Sequence, residues 1–566
     1  MLAFSLLLPL AGLVAPGEGA AQGPRSTSLL FRGGTFHVGF DVLHADRDHG
    51  RTAQAVLVRD GRIAAIGDEA TLAASEEGRG AERVDIRGGH AFPGFQDAHV
   101  DLEALGEALE QLDLGSAAGF DEAVARVRER AAELPPGSWV RGRGWDDRLL
   151  PAERAEVIAR LTAAAPDHPV LLEDVDGGAA LVNERAFATA EIDASEPPDD
   201  PEGGRIERDA EGAATGVLER AAADLVRGVA PAPSDADRRR RILRAQETLI
   251  AAGVTCAHEM GVDLRGLEIR QELRSEGRLA LRLVAYLDDA TVEGVSDLAK
   301  LRLDDPRDRL TVVGIHLTVD GWLSSRGAAL AEPYADAPEA HGDLDYDAGA
   351  LDRRLRAIAE AGLQPSLHVA GDRASALVVG SLGRVRASLD YLPRLRPRLE
   401  GCRLMAPFDL ARLDELGVVA SVQPTRALRE RPIAALRLGE ARFARVDAWG
   451  QIRASTGLPL ALGSGAPAGA VGPLEGVVAA LTGAPPGSGD PAEKIDAEVA
   501  LAGWTIAPSF AAFQEDRRGL TARGYFCDLT VVDVDLSQLT PTTAAEALDA
   551  KVLMTVVNGE VVYNAP

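Results

Sequence analysis

The stretch Phe92-Pro93-Gly94-Phe95-Gln96-Asp97-Ala98-His99-Val100-Asp101-Leu102 decides how the rest of the chain is read. It is an apolar strand entered through a Pro-Gly turn and ending in His99 and Asp101. Side chains two positions apart leave a strand on one face, which is how a strand delivers two metal ligands to one point. A His-x-Asp pair standing alone is more often an ordinary polar strand end, so its weight depends on what surrounds it.

Working outward, short apolar strands alternate with helical stretches, the pattern of parallel βα units. Eight candidates occur, at 92–99, 254–258, 281–286, 311–317, 364–369, 398–404, 418–422 and 459–463. Eight is the number that closes a (β/α)8 barrel, an α/β fold of the TIM type. Helices are expected over 234–252, with Ser234 as N-cap, and over 352–361. The interval 106–233 is too long for one crossover and carries strand-like pieces at 138–140 and 169–173, so it reads as an inserted lobe over the barrel mouth.

The chain ends match one another. Residues 54–58 and 62–66 flank Asp60-Gly61, and 552–557 and 560–563 flank Asn558-Gly559, both strong hairpin signals. Neither end has enough strands to bury a face alone, so the two are expected to form one flanking β-sandwich from both termini. The expected division is 1–21 as a signal-like segment, 22–91 with 520–566 as the composite sandwich, and 92–519 as the barrel with its lobe at about 106–233.

Composition narrows the function classes. The chain has 566 residues, 46% of them hydrophobic, and a formal net charge of -27 from 87 acidic against 60 basic residues. So acidic a chain is a poor partner for nucleic acid or an anionic membrane surface. Three scattered cysteines, Cys256, Cys402 and Cys527, suggest neither a disulfide framework nor a thiolate zinc site. The first residues run apolar from Leu2 to Val14 and then small to Ala21, resembling a secretory signal without its basic start, so an exported protein, periplasmic or extracellular, is expected. No segment is a candidate membrane span, which takes about 20 apolar residues. A homo-oligomer is compatible with the sequence.

Barrel enzymes place their chemistry at the C-terminal ends of the strands. Strand one ends in His99 and Asp101, strand two in His258 and Glu259, strand four carries His316, and strand five ends in His368. Four of the ten histidines thus fall at predicted strand ends, which raises the metal reading well above the lone motif.

On these residues the chain resembles the amidohydrolase superfamily, specifically amidohydrolase family 3, YtcJ-like branch. The resemblance rests on 92–102 (family pattern P-G-F-x-D-x-H-x-H), 141–146, Val319-Asp320-Gly321 with Arg326 and Glu332-Pro333-Tyr334, the run 368–374, Val422-Gln423-Pro424, Leu462-Gly463-Ser464 and 555–559. It implies a distorted barrel with a flanking sandwich and a hydrolytic metal site for amide and related C–N bonds. The family's ligands are an H-x-H pair on strand one, a carboxylated lysine on strand four and histidines on strands five and six, with a strand-eight aspartate as proton acceptor.

Here the pattern departs from the family. His99 and His368 stand at ligand positions, but Asp101 replaces the second histidine, His316 the lysine, Gly401 the strand-six histidine and Gly465 the strand-eight aspartate. Gly178 and Arg426 replace two further family histidines. The two-metal site is therefore expected to be absent. Two readings remain open. One is a hydrolase with a rewired site of one zinc or other divalent ion at most, held by His99, Asp101, His316 and His368, with Asp320, Asp372 or Glu400 as the base. The other is a catalytically inactive relative that binds a small carboxylated ligand through Arg373 and Arg426. Trp145 anchors the lobe or faces the substrate. Asp97 reads as a structural acceptor and His258 as a hydrogen-bonded second-layer histidine. His37, His44, His49, His90, His168 and His341 receive no role.

Overall fold

Gly94 is where the chain changes sheets. The computed structural model describes residues 28–40, 51–145, 149–151, 153–174, 178–305, 307–483 and 495–566; the signal-like segment, His44, His49 and Asp146 lie outside them. The single strand expected over 92–99 is two strands: His90–Pro93 belongs to a terminal sheet and Phe95–Val100 to the barrel. Between them Gly94 donates its N–H to the Asp528 carbonyl at 2.8 Å. A Cβ at this position would meet Thr255 Oγ1 at 2.4 Å and Asp528 Cβ at 2.9 Å, so only glycine lets the two sheets approach this closely.

The barrel is an eight-stranded parallel sheet running in chain order through Phe95–Val100, Val254–Val262, Arg282–Asp288, Leu310–Thr318, Gln364–Val369, Arg398–Gly401, Val419–Val422 and Ala461–Leu462. The residues of these strands are almost all buried, as expected of parallel strands covered on both faces. Strands eight and one approach without a regular ladder. Gly465 N–H donates to the His99 carbonyl at 2.9 Å, and Ser464 N–H to Asp97 Oδ1 at 2.9 Å. Asp97 also accepts from the His99 N–H at 3.0 Å, so this buried carboxylate is the structural acceptor that nearly closes the cylinder. The helix expected over 352–361 is Ala348–Glu360, one turn longer at its start, because Asp347 caps it by accepting from the Ala350 N–H.

Both chain ends build the flanking sandwich. One sheet orders Arg62–Gly67, Ala55–Arg59, Ser28–Arg32 and Glu82–Asp85; the other orders Glu560–Asn564, Val552–Val557, Leu529–Val532, His90–Pro93, Thr35–His37 and Thr52–Ala53. Leu529–Val532, from the C-terminal part, pairs antiparallel with His90–Pro93, from the N-terminal part. Phe31, Phe36, Val56, Ile63, Leu529 and Val556 share the core between the sheets. The sandwich is joined to the barrel by Arg282 on strand three, whose guanidinium makes two bonds of 2.8 and 2.9 Å to the buried Asp528 carboxylate.

Residues 106–241 form a separate compact unit. Its six-stranded sheet orders Gly204–Arg208, Ala214–Arg220, Ala179–Val182, Val170–Asp174, Val140–Trp145 and Leu112–Asp113. Val127, Val157, Leu161, Leu172 and Leu181 form part of one of its cores. Among the described residues no helix is long and apolar enough to cross a membrane.

The junction at residue 94 can be tested. Gly94→Ala is expected to destabilise the protein by about 1–3 kcal/mol through overpacking, read as a lower urea midpoint. An unchanged midpoint would mean that Thr255 and Asp528 yield without strain.

Candidate functional site

The strand ends are organised by two residues of strand six, Arg398 and Glu400. Two positions apart on one strand, they point the same way, and both are fully buried. Arg398 forms an ion pair with Glu400. Its guanidinium also donates to His258 Nδ1 at 3.0 Å, Tyr286 Oη at 3.2 Å and Ser421 Oγ at 3.0 Å, and to the Ala98 carbonyl. One side chain therefore touches strands one, two, three and seven from its place on strand six. His258, expected as a second-layer histidine, is one of its partners.

Glu400 carries this charge to the mouth. Its Oε2 lies 2.8 Å from His99 Nδ1, and Gln423 Nε2 donates to it at 3.4 Å. Burial pushes the Glu400 carboxyl up, but Arg398 and His99 outweigh burial and hold its pKa at about 2, so it is an anion throughout the neutral range. A carboxylate already engaged by a guanidinium and an imidazole is an orienting group, not a free base.

The other expected ligands are spread out. His316 Nδ1 sits 3.1 Å from Ser366 Oγ, and its ring meets that of His99 edge-on at 6.3 Å. Burial and the neighbouring His99 pull its pKa to about 3. His368 lies beneath Trp322, ring centres 4.0 Å apart, and its Nε2 is buried without a hydrogen-bond partner. Burial, with His316 and Arg426 nearby, also keeps this imidazole neutral. Asp101 does not join them. It caps the helix Leu102–Glu110, accepting from the Ala104 N–H at 2.9 Å, and is exposed. Among the described residues, ligand atoms of three or more such side chains come within 4.8 Å of one another at one place only, His37, His90 and Asp535, far from this mouth in the fold. The expected convergence of residues 99, 101, 316 and 368 on one ion is therefore absent, and the donor set does not fit a metal in this arrangement.

The remaining candidates also have other employment. Asp320 accepts three backbone N–H groups, from Ala329, Ala370 and Gly371 at 2.8–2.9 Å, and clamps the loop after strand four. Burial nonetheless raises its pKa to about 6. Asp372 accepts from the Ala331 N–H at 2.8 Å. Arg373 donates to the Gly342 carbonyl at 2.6 Å. Trp145 is a buried core residue of its own unit, donating Nε1–H to the Leu172 carbonyl at 2.7 Å, so it anchors the lobe and offers no face to a substrate.

Arg426 and Trp322 complete the mouth. The guanidinium carbon of Arg426 lies 3.2 Å from the Trp322 ring centre, and its Nε donates to Glu430 at 2.8 Å. Trp322 carried no signal in the sequence beyond following Asp320-Gly321. Arg398 was legible in principle, because Arg-x-Glu on a short strand of a parallel sheet covered on both faces reads as a buried pair. A cavity of about 250 Å³ lined by Arg453, Gly457, Leu460, Ala502 and Ala507, among others, holds none of the candidate residues.

Two outcomes follow from this network. Arg398→Met, which strands a buried carboxylate, is expected to lose about 3–5 kcal/mol, and adding Glu400→Gln should restore part of it, both read by urea unfolding. His316 stays neutral when folded, whereas an unfolded histidine takes a proton below about pH 6.5. The unfolded chain therefore binds more protons between that pH and about 3, and stability falls on acidification through this window. His316→Gln should lessen the fall between pH 7 and pH 5; an identical fall would show that His316 is not its source.

The sequence model of the amidohydrolase family matches residues 82–563. The putative amidohydrolase YtcJ of Bacillus subtilis (strain 168) is 28% identical over 542 residues, covering 93% of this chain and 99% of that protein. The N-substituted formamide deformylase of Arthrobacter pascens is 27% identical, covering 90% and 95%. A crystal structure described as an uncharacterized metal-dependent hydrolase from Pyrococcus furiosus superposes with a TM-score of 0.74 at 25% identity, covering 90% of this chain and all of that one. With the nearly closed parallel barrel, the flanking sandwich and a family match across most of its length, this chain belongs to the amidohydrolase family.

Proposed function

We infer that this chain is a non-hydrolytic member of its family whose barrel mouth binds a small carboxylated compound. The observation that carries the reading is the placement of Arg426. A Cβ built on Gly465, where the family pattern has its catalytic aspartate, would lie 3.4 Å from Arg426 Cδ and 3.2 Å from Gln423 Cβ. The stem of Gln423 would have to give by a few tenths of an ångström to admit a side chain here, and the stem of Arg426 runs in van der Waals contact beside it. Gly465 and Gly401 also have φ of +65° and +89°, a backbone region that residues with side chains rarely adopt. Asp60, Asp308 and Asp447 do adopt positive φ in this chain, so a side chain at 401 or 465 would carry backbone strain without being excluded by it.

The chemistry of the mouth suits an anion. Burial lowers the Arg426 pKa while Glu430 raises it, and the group remains charged. Glu430 is shared with Arg403, whose Nη1 lies 2.6 Å from its other oxygen. With Nε held by Glu430 and one face against Trp322, the guanidinium presents its Nη groups as a rigid fork, the geometry that carboxylates accept. Trp322 adds an apolar wall for the ligand's carbon skeleton.

The hydrolytic reading keeps two supporting observations. His99 is oriented by a carboxylate at its Nδ1, as imidazoles behind metal ions commonly are, and the formamide deformylase relative acts on the C–N class the family pattern implies.

One comparison separates the two. In metal-chelated buffer, succinate or an N-acetylated amino acid is expected to raise the melting temperature saturably, and Arg426→Gln to weaken that binding at least about thirtyfold, the consequence of losing roughly 2 kcal/mol of charge pairing. Zinc-dependent cleavage of an N-substituted formamide, abolished by His368→Ala, would replace this reading with the hydrolytic one.

A further inference from the structure

His37, His90 and Asp535 meet in the sandwich, on three neighbouring strands or just beyond them. Thr35–His37 pairs in parallel with His90–Pro93, which pairs antiparallel with Leu529–Val532, and Asp535 follows that strand by three residues. His37 Nε2 lies 3.3 Å from His90 Nδ1 and 3.6 Å from Asp535 Oδ1, and His90 Nδ1 lies 4.0 Å from Asp535 Oδ2. Two imidazole nitrogens bound to one tetrahedral zinc at about 2.0–2.1 Å are themselves about 3.3 Å apart. The histidine pair already has that separation. The two carboxylate contacts are to different oxygens, so one oxygen has to come closer to both rings; the His90 and Asp535 side chains are partly exposed, and one ligand atom from each of the three residues lies within 4.8 Å of the others.

The surroundings hold the three groups in place. The His37 ring stacks on Phe92, centres 4.2 Å apart and planes 7° from parallel, which aims Nε2 at His90. Asp535 Oδ1 accepts from Ser537 N at 3.0 Å and Ser537 Oγ at 2.6 Å, so its carboxylate is oriented from behind. The His37 side chain is 4% exposed and those of His90 and Asp535 25% and 30%, so the cluster is closed beneath and open on one side, where water would complete a four-coordinate set. A neutral pair of facing imidazoles has one nitrogen donating at most, and a cation satisfies both lone pairs and the carboxylate together.

We propose that His37 Nε2, His90 Nδ1 and the Asp535 carboxylate form a binding site for one zinc ion or a similar divalent transition metal, clipping the N-terminal and C-terminal strands of the sandwich together. Two imidazoles and a carboxylate suit zinc, cobalt and nickel better than the all-oxygen cations. The site is independent of the barrel mouth and of any ligand bound there. Its role is a cross-link between the two chain ends, added to the ladder of Leu529–Val532 with His90–Pro93 and to the sandwich core.

The test uses the full chain, stripped with chelator and dialysed against zinc. One equivalent is expected to bind and to raise the melting temperature reversibly. His90→Gln and Asp535→Asn, at partly exposed positions, should each weaken binding at least about tenfold while leaving the metal-free melting temperature near that of the parent. Ser537→Ala should weaken it less, also without a change in the metal-free protein. The double variant His316→Gln/His368→Gln should keep the equivalent. Cobalt should give the visible absorption of a tetrahedral site, lost in His90→Gln. Absence of a stoichiometric ion, its survival in both His90→Gln and Asp535→Asn, or its loss in the double variant would overturn the proposal.

Discussion

The structure depends on one buried guanidinium. Arg398 has no exposed surface, and a charge so placed is tolerated only if it is paired and its remaining donors are satisfied. Glu400 supplies the countercharge, and the Ala98 carbonyl, His258, Tyr286 and Ser421 take the other bonds. Those partners stand on different strands, so satisfying one side chain sets the mutual position of most of the cylinder. The anion that this cation requires then reaches His99 at the mouth and fixes its ring. What the mouth can do is inherited from what the interior needs.

That inheritance leaves the bracing of the barrel to protein groups alone. Asp97 and Asp320 accept from backbone N–H groups, and Arg398 and Glu400 bond to each other and to the side chains of His258, Tyr286, Ser421, His99 and Gln423. Of the positions that depart from the expected family pattern, Asp101, Gly401 and Gly465 lie at or just beyond strand ends, where side chains project past the ladder and packing places less demand on them. Gly401 and Gly465 have taken up left-handed backbone there, Asp101 has turned to cap a helix, and Arg426 has come in against Trp322. At the mouth the carboxylates Glu400 and Glu430 are already paired, the first with Arg398 and His99 and the second with Arg403 and Arg426.

The sandwich follows a different logic. Its strands come from opposite ends of the chain, and they register through Leu529–Val532 against His90–Pro93, with Asp528 anchored by Arg282 of the barrel. The histidines 37 and 90 lie on this seam, beside a carboxylate contributed by the other chain end. The cluster at the mouth is braced by a buried ion pair and this one by stacking and a serine, and among the described residues only His37, His90 and Asp535 bring three such ligand atoms within 4.8 Å of one another.

The sequence by itself determined the barrel, the hairpins and the pairing of the ends, because each is written in local patterns. Buried parallel strands appear as short apolar runs, tight turns as Asp-Gly and Asn-Gly, and ends with too few strands must find each other. It also shows glycine at 401 and 465, which offers neither a ligand nor a base. Only the tertiary structure decided what the surviving groups do. His-x-Asp at a strand end and Asp at a helix start are the same letters, and Asp101 followed three residues later by Ala104 turned out to be a cap because the next turn of helix offered it an N–H. Asp320 became a loop clamp because three backbone donors converge on it, and Arg426 entered the mouth because Trp322 gives it a face to lie on. His37, His90 and Asp535 carry no motif at all. Their meeting is a product of strand register between distant segments, and register is a three-dimensional fact that spacing along the chain does not encode.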